Sequence, residues 1–146
     1  MLALARSLVA FALMALCVTI HAMGLIAVFR RMHGRLADGG GAFWPSTAIL
    51  IRVAAWTMFL HLLQIAAWAF LYTWLGVMPD LNTAAYFSVV TYTTTGYGDL
   101  VLRGEWRLVG GVEALTGILM CGLSTGMFFA VFSKIFHLDG HQSTKE

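Results

Sequence analysis

Residues 93 to 99 read Thr93-Thr94-Thr95-Gly96-Tyr97-Gly98-Asp99. Glycines at alternate positions permit backbone torsions that are forbidden to residues with a Cβ. Gly96 and Gly98 meet that need. A backbone with this freedom can turn its carbonyl oxygens to one side, and rings of inward carbonyls can replace the water shell of a cation. The chemistry on offer is cation coordination by backbone oxygen.

The flanking elements must hold such a loop in place. Gly76 and Pro79 end a preceding helix, and Asp80, Asn82 and Thr83 are helix-start residues. The run from Ala84 to Thr93 then predicts a helix of about three turns, too short to cross a bilayer. Three longer apolar runs surround it: Leu8 to Phe29, Val53 to Leu75 and Leu108 to Ser133, the last containing only Glu113 as a formal charge. A span needs roughly 20 residues of helix, so each run predicts one. A half-helix plus an extended, glycine-containing loop between two spans is a re-entrant segment. Backbone of that kind is tolerated only where protein buries it or water and ions reach it.

Composition agrees. The 146 residues include nine Lys plus Arg, seven Asp plus Glu and 60% apolar residues, too little charge to cover a soluble globule of this size. The net charge of +2 comes from scattered residues with no basic stripe, so nucleic-acid binding is not expected. Cys17 and Cys121 lie inside apolar runs and are read as reduced, buried small residues. The basic residues Arg30, Arg31, Arg35, Arg52, Lys134 and Lys145 fall on one side of three alternating spans, and Arg6, Arg103 and Arg107 on the other. The positive-inside rule places the first linker and the C-terminus in the cytoplasm and the N-terminus outside. The first run is read as a retained span, since it is too long for a signal peptide and Ile20 would stand three residues before a cleavage site at Ala22. Phe43-Trp44-Pro45 looks like an interfacial aromatic anchor starting the second helix. The ten residues after Phe136 leave no room for a cytoplasmic ligand-binding domain on this chain.

The signature from Thr93 to Asp99, between two hydrophobic spans of suitable length, resembles the potassium channel family. The resemblance covers roughly Ser46 to Phe136. It implies K+ coordination by the carbonyls of Thr94, Thr95, Gly96 and Tyr97, with Gly98 in the same filter and the Thr94 hydroxyl at its inner end. It also implies that Tyr97 points away from the axis and braces the filter against the pore helix. One loop cannot encircle an ion, so the resemblance implies a homotetramer. The pore helix would direct its partly negative C-terminus toward the cation.

Some residues depart from the family pattern. Thr95 stands where Val is common, adding a hydroxyl but leaving its carbonyl available. Tyr86 and Phe87 stand in place of a Trp pair, and Val90 where some relatives have a Glu. Asp99 therefore lacks one usual partner, a role that the Tyr86 hydroxyl could fill as donor. Glu113 has two readings of equal weight: a wet or ion-paired residue near Arg103 or Arg107, or a buried support behind the filter. Filter support is thus assigned to Asp99, Tyr86 and Glu113.

Gly117, Gly122 and Gly126 suit close helix packing, and Gly117 is also a candidate hinge. One register of the last helix lines a cavity with Cys121, Thr125 and Phe129, the other with Gly122, Gly126 and Ala130. In the first, Thr125 and Phe129 are candidate gate residues. His61 and Gln64 share a helical face suited to interhelical hydrogen bonds rather than a metal, and His21 stands alone on the first helix.

These features predict an all-α membrane protein of three transmembrane helices with a re-entrant pore helix and filter. The divisions are an N-terminal helix over 1–30, a cytoplasmic linker over 31–45, a pore domain over 46–136 and a short tail over 137–146. The expected function is passive, K+-selective conduction in a plasma (inner) membrane, with no enzymatic activity and no cofactor, K+ being the permeant ion. Its expected partners are copies of itself and membrane lipid, with room for a regulatory subunit. A weakly selective cation channel and a pore-like subunit silent without a partner are the alternatives. Moving one charge through the field is worth about 2.3 kcal/mol per 100 mV, and no span carries a ladder of Lys or Arg. Opening of the purified chain should therefore depend only weakly on voltage; a steep conductance–voltage curve without blocking ions would contradict this.

Overall fold

A computed structural model describes residues 2–38 and 43–142. Four α-helices follow in order: α1 (Leu2–Asp38), α2 (Phe43–Trp74), α3 (Leu81–Tyr92) and α4 (Arg107–Gln142), the last preceded by a 3-10 turn at Gly104–Trp106. Among the described residues there is no strand. The segments Leu4–Arg31, Trp44–Trp74 and Gly104–Ile135 are long and apolar enough to cross a membrane. The fold is the predicted all-α one, with three spans and a short helix between the second and third.

Two boundaries differ from the expected ones. α1 runs on through Arg31 and Arg35 to Asp38, so most of the segment read as a linker is helical. Residues 39–42, with three consecutive glycines at 39–41, lie outside the described residues. At the other end, α4 continues through Gln142 into the segment read as a tail. Helical backbone satisfies its own hydrogen bonds in lipid or water alike, so the end of an apolar run does not mark the end of a helix.

The end of α2 is set by Gly76, whose φ of 65° is left-handed. The Gly76 amide donates to the Thr73 carbonyl at 3.1 Å and the Val77 amide to the Tyr72 carbonyl at 2.9 Å, the paired closure of a glycine C-terminus. The chain reverses at once into α3. Asp80 caps that helix, accepting from the Thr83 amide at 2.9 Å and the Thr83 hydroxyl at 2.8 Å. These two donors hold the exposed Asp80 carboxyl below the usual carboxylate range.

α3 lies against α2 and α4, with α1 packed along α4 and α2. One buried cluster joins Ala10 and Cys17 of α1, Trp68 and Tyr72 of α2, Phe87 and Tyr92 of α3, and Met120 of α4. A second, toward the other end, joins Val53 with Met127, Val131 and Ile135. Arg6 forms an ion pair with Glu105 at 2.5 Å, and its guanidinium lies 4.8 Å from the centre of the Trp106 ring. The start of α1 is therefore on the same side as the loop leading into α4, as three alternating spans require. Cys17 is buried, but Cys121 is exposed on the single chain, which corrects its reading as a core residue. His21 is not alone: its ring meets Gln64 of α2 and Ser124 of α4.

Candidate functional site

The loop from Thr93 to Asp99 starts at the C-terminus of α3. The Thr93 amide and hydroxyl both donate to the Val89 carbonyl, at 3.1 and 2.7 Å. The Thr94 amide donates to Thr91 at 2.9 Å, and the Gly96 amide reaches back to the Val90 carbonyl at 3.2 Å. Acceptors left free by the last turn of the helix thus take up donors of the loop.

Thr94, Gly96 and Gly98 have φ of 59°, 55° and 80°, whereas neither Thr95 nor Tyr97 is in the left-handed region. Alternating hands turn successive peptide planes the same way, gathering amides on one side and carbonyls on the other. Because the Gly96 amide points back to α3, the Thr95 carbonyl of the same peptide faces away from that helix. The two glycines read from sequence occupy two of the three left-handed positions, with open space where a Cβ would sit. The third is occupied by a β-branched threonine, which sequence reasoning did not anticipate.

Two side-chain contacts hold the loop. The Tyr86 hydroxyl donates to Asp99 at 2.6 Å and holds that carboxyl below its ordinary range. The hydroxyls of Thr93 and Thr95 lie 2.9 Å apart, and since the Thr93 proton is directed to Val89, Thr95 is the donor. Tyr97 is 72% exposed, so within one chain its ring does not brace the loop against α3 as expected.

Glu113 is fully buried and accepts a hydrogen bond from the Tyr72 hydroxyl at 2.8 Å. Ser88 of α3 lies beside the same carboxylate without reaching hydrogen-bond geometry. The solvent-exposed, arginine-paired reading of Glu113 is therefore excluded. Tyr72 was not singled out from sequence, where it is one aromatic residue in an apolar run. Gly117 is where α3 touches α4: a Cβ there would lie 1.8 Å from the Tyr92 carbonyl oxygen. This close approach gives the glycine a packing reason.

A family model described as "Ion channel" matches residues 58–134, more than half of the chain. The chain belongs to the ion channel family. The potassium voltage-gated channel protein Shal of Drosophila melanogaster is 40% identical over 59 residues, 40% of this chain and 10% of that protein. A Rhodopseudomonas palustris protein that also carries "potassium channel" in its name is 35% identical over 63 residues, 42% of this chain and 15% of its own. The human potassium voltage-gated channel subfamily A member 6 is 29% identical over 68 residues, 46% of this chain and 13% of its own. The match thus spans only 10% to 15% of each relative. No solved structure gives a significant match.

The ion channel match begins within α2 and leaves α1 outside. It includes the whole loop, the Tyr86–Asp99 and Tyr72–Glu113 contacts, and the candidate gate residues Thr125 and Phe129. Cys121, Gly122, Thr125, Gly126, Phe129 and Ala130 are all exposed on the single chain. At 3.6 residues per turn, the stripe opposite the packed face of α4 carries Gly122 together with Thr125 and Phe129. The two alternative registers are therefore not separate faces of α4. Among the described residues no three His, Cys, Asp or Glu side chains cluster as metal ligands.

The Tyr86 contact stabilises charged Asp99, so its contribution is present above the ordinary carboxylate pKa and is lost as pH falls through the lowered value. Tyr86→Phe should move the Asp99 midpoint upward in a carboxyl ¹³C titration; an unchanged midpoint would break the assignment. At Gly117 the obstacle is a backbone carbonyl, whereas at Gly24 it is the flexible end of Leu60. In detergent unfolding, Gly117→Ala should cost about 3 kcal/mol and Gly24→Ala about 1 kcal/mol or less. Equal losses would show that α3 yields as readily as a leucine side chain.

Proposed function

We propose that the chain forms a K+-selective, passive channel in which four copies set residues 94 to 98 around one axis. The alternation of left-handed torsions at Thr94, Gly96 and Gly98, with the Gly96 amide tied back to α3, is the observation on which this reading rests. It supports a reading in which the carbonyls lie on the side away from the helix, where a dehydrated cation would need them. The carbonyls of Thr94, Thr95, Gly96 and Tyr97 are the proposed K+ ligands, and Asp99, Tyr86 and Glu113 support them. The potassium channel names of the relatives point to the same ion.

A single chain leaves this polar loop and Tyr97 exposed. Non-helical backbone between spans must be enclosed by protein or face water, so further copies are the natural enclosure. Tyr97 would then find its bracing contact on a neighbouring copy. Phe129, 72% exposed, and Thr125 are placed at the inner gate of this assembly. The pore domain is assigned to 46–136 and the region before it to an additional helix. The membrane is the plasma (inner) membrane, with the N-terminus outside and the C-terminus in the cytoplasm, by the distribution of arginine and lysine.

Proteoliposomes containing only this chain should take up K+ and Rb+ but not Na+, with reversal potentials that follow the K+ gradient and block by Ba2+. Gly96→Ala, which puts a side chain at a left-handed position, should abolish selective flux. Equal Na+ and K+ flux in the parent would leave a weakly selective cation channel; no flux from folded, inserted protein would leave a subunit that needs a partner.

A further inference from the structure

Five side chains drawn from all four helices close a ring of hydrogen bonds beside the C-terminus of α3. His21 Nε2 lies 3.0 Å from Ser124 Oγ, and Ser124 Oγ lies 3.1 Å from His61 Nε2. His61 Nδ1 is 3.0 Å from the Tyr92 hydroxyl, which donates to Gln64 Oε1 at 2.5 Å. Gln64 Nε2 closes the circuit on His21 Nδ1 at 2.8 Å. His21, Gln64, Tyr92 and Ser124 are buried and His61 is half-buried.

The protons can be placed by counting. Gln64 donates to His21 Nδ1, so the His21 proton is on Nε2 and is directed at Ser124. Tyr92 gives its proton to Gln64, so it accepts from His61 Nδ1, and His61 Nε2 accepts from Ser124. Every member donates once and accepts once, with both imidazoles neutral. Turning the Gln64 amide over runs the same ring in the opposite sense, again complete. Removing any member leaves a buried donor and a buried acceptor unpaired at the break.

Tyr92 is the last residue of α3, two before Thr94, where the left-handed alternation begins. Its carbonyl is pressed on Gly117 and its side chain is a member of the ring, so the base of the loop is gripped at two points. One contributor, His21, lies outside the residues matched by the ion channel family. We propose that His21 is a positioning residue for ion selection: through the ring, α1 fixes the end of α3 from which the filter starts. This rests on the K+-channel reading, and makes α1 part of the selective machinery.

The test measures Na+ and Rb+ flux in proteoliposomes for the parent, His21→Ala, Tyr92→Phe and the two combined. Cys17→Ala, a buried change on the same helix outside the ring, is the control. Either single change opens the ring and should raise the Na+:Rb+ ratio about five-fold, the scale of one lost hydrogen bond. The double change should do no more than either alone, and Cys17→Ala should leave the ratio at the parent value. Ser124→Ala opens the ring from α4 without changing a residue of α1; it should match His21→Ala, and it decides the matter if His21→Ala does not assemble. A selective parent whose ratio is unmoved by these changes overturns the role of His21 while leaving the K+ reading intact. So does a double variant whose effect is the product of the two singles. An unselective parent overturns the K+ reading and this inference with it.

Discussion

Backbone that leaves a helix between two membrane spans has no bulk water to satisfy it, and the structure around α3 is arranged by that constraint. The last turn of a helix exposes four carbonyls. Here Val89 takes Thr93, Thr91 takes the Thr94 amide, Val90 takes the Gly96 amide, and the Tyr92 carbonyl is set against Gly117. With no Cβ in the way, only hydrogen separates Gly117 from that oxygen, a geometry suited to a weak Cα–H···O contact. The same bonds that satisfy the helix end draw the loop's amides to one side. The proposed function draws on the carbonyls left on the other.

Such an arrangement needs α3 to be immobile, and in a bilayer apolar packing between helices has no hydrophobic drive behind it. Polar contacts hold it instead. Tyr72 and Glu113 join α2 to α4 with Ser88 of α3 alongside, and the His21–Ser124–His61–Tyr92–Gln64 ring joins all four helices. Asp80 fixes the opposite end of the same helix through its cap. The short helix is thus secured at its start by a local motif and at its end by contacts distant in sequence.

That division explains what could be read from the residues alone. The Tyr86–Asp99 pairing comes from the family resemblance, whereas the three spans, the short helix and its cap, and the glycines of the loop all rest on local composition or short spacing. The partners of His21 and Glu113 do not. A soluble helix announces its buried face by an apolar stripe, but α2 and α4 are apolar nearly all round, so the sequence carries little information on their rotation. Hence His21 looked solitary, Glu113 was left between two surroundings, and the last helix between two registers. Gly117 was recognisable as a packing glycine, but only the fold shows that it faces a carbonyl of α3.

Thr94 is the least legible residue of the loop and the most informative. Its φ of 59° is costly for a β-branched side chain, of order 1–3 kcal/mol. A glycine would remove that strain but would add backbone freedom to the unfolded and the folded loop alike. Strain of this kind persists only where surrounding contacts over-determine the conformation. Those contacts are present on both sides of Thr94: its own amide is bound to Thr91, the Gly96 amide is bound to Val90, and Tyr92 is held by the ring. A threonine at this position therefore implies that the end of α3 is rigid enough to impose a left-handed turn on it. The proposed function requires the same property, since carbonyls that adjusted freely would fit a smaller cation as readily as a larger one.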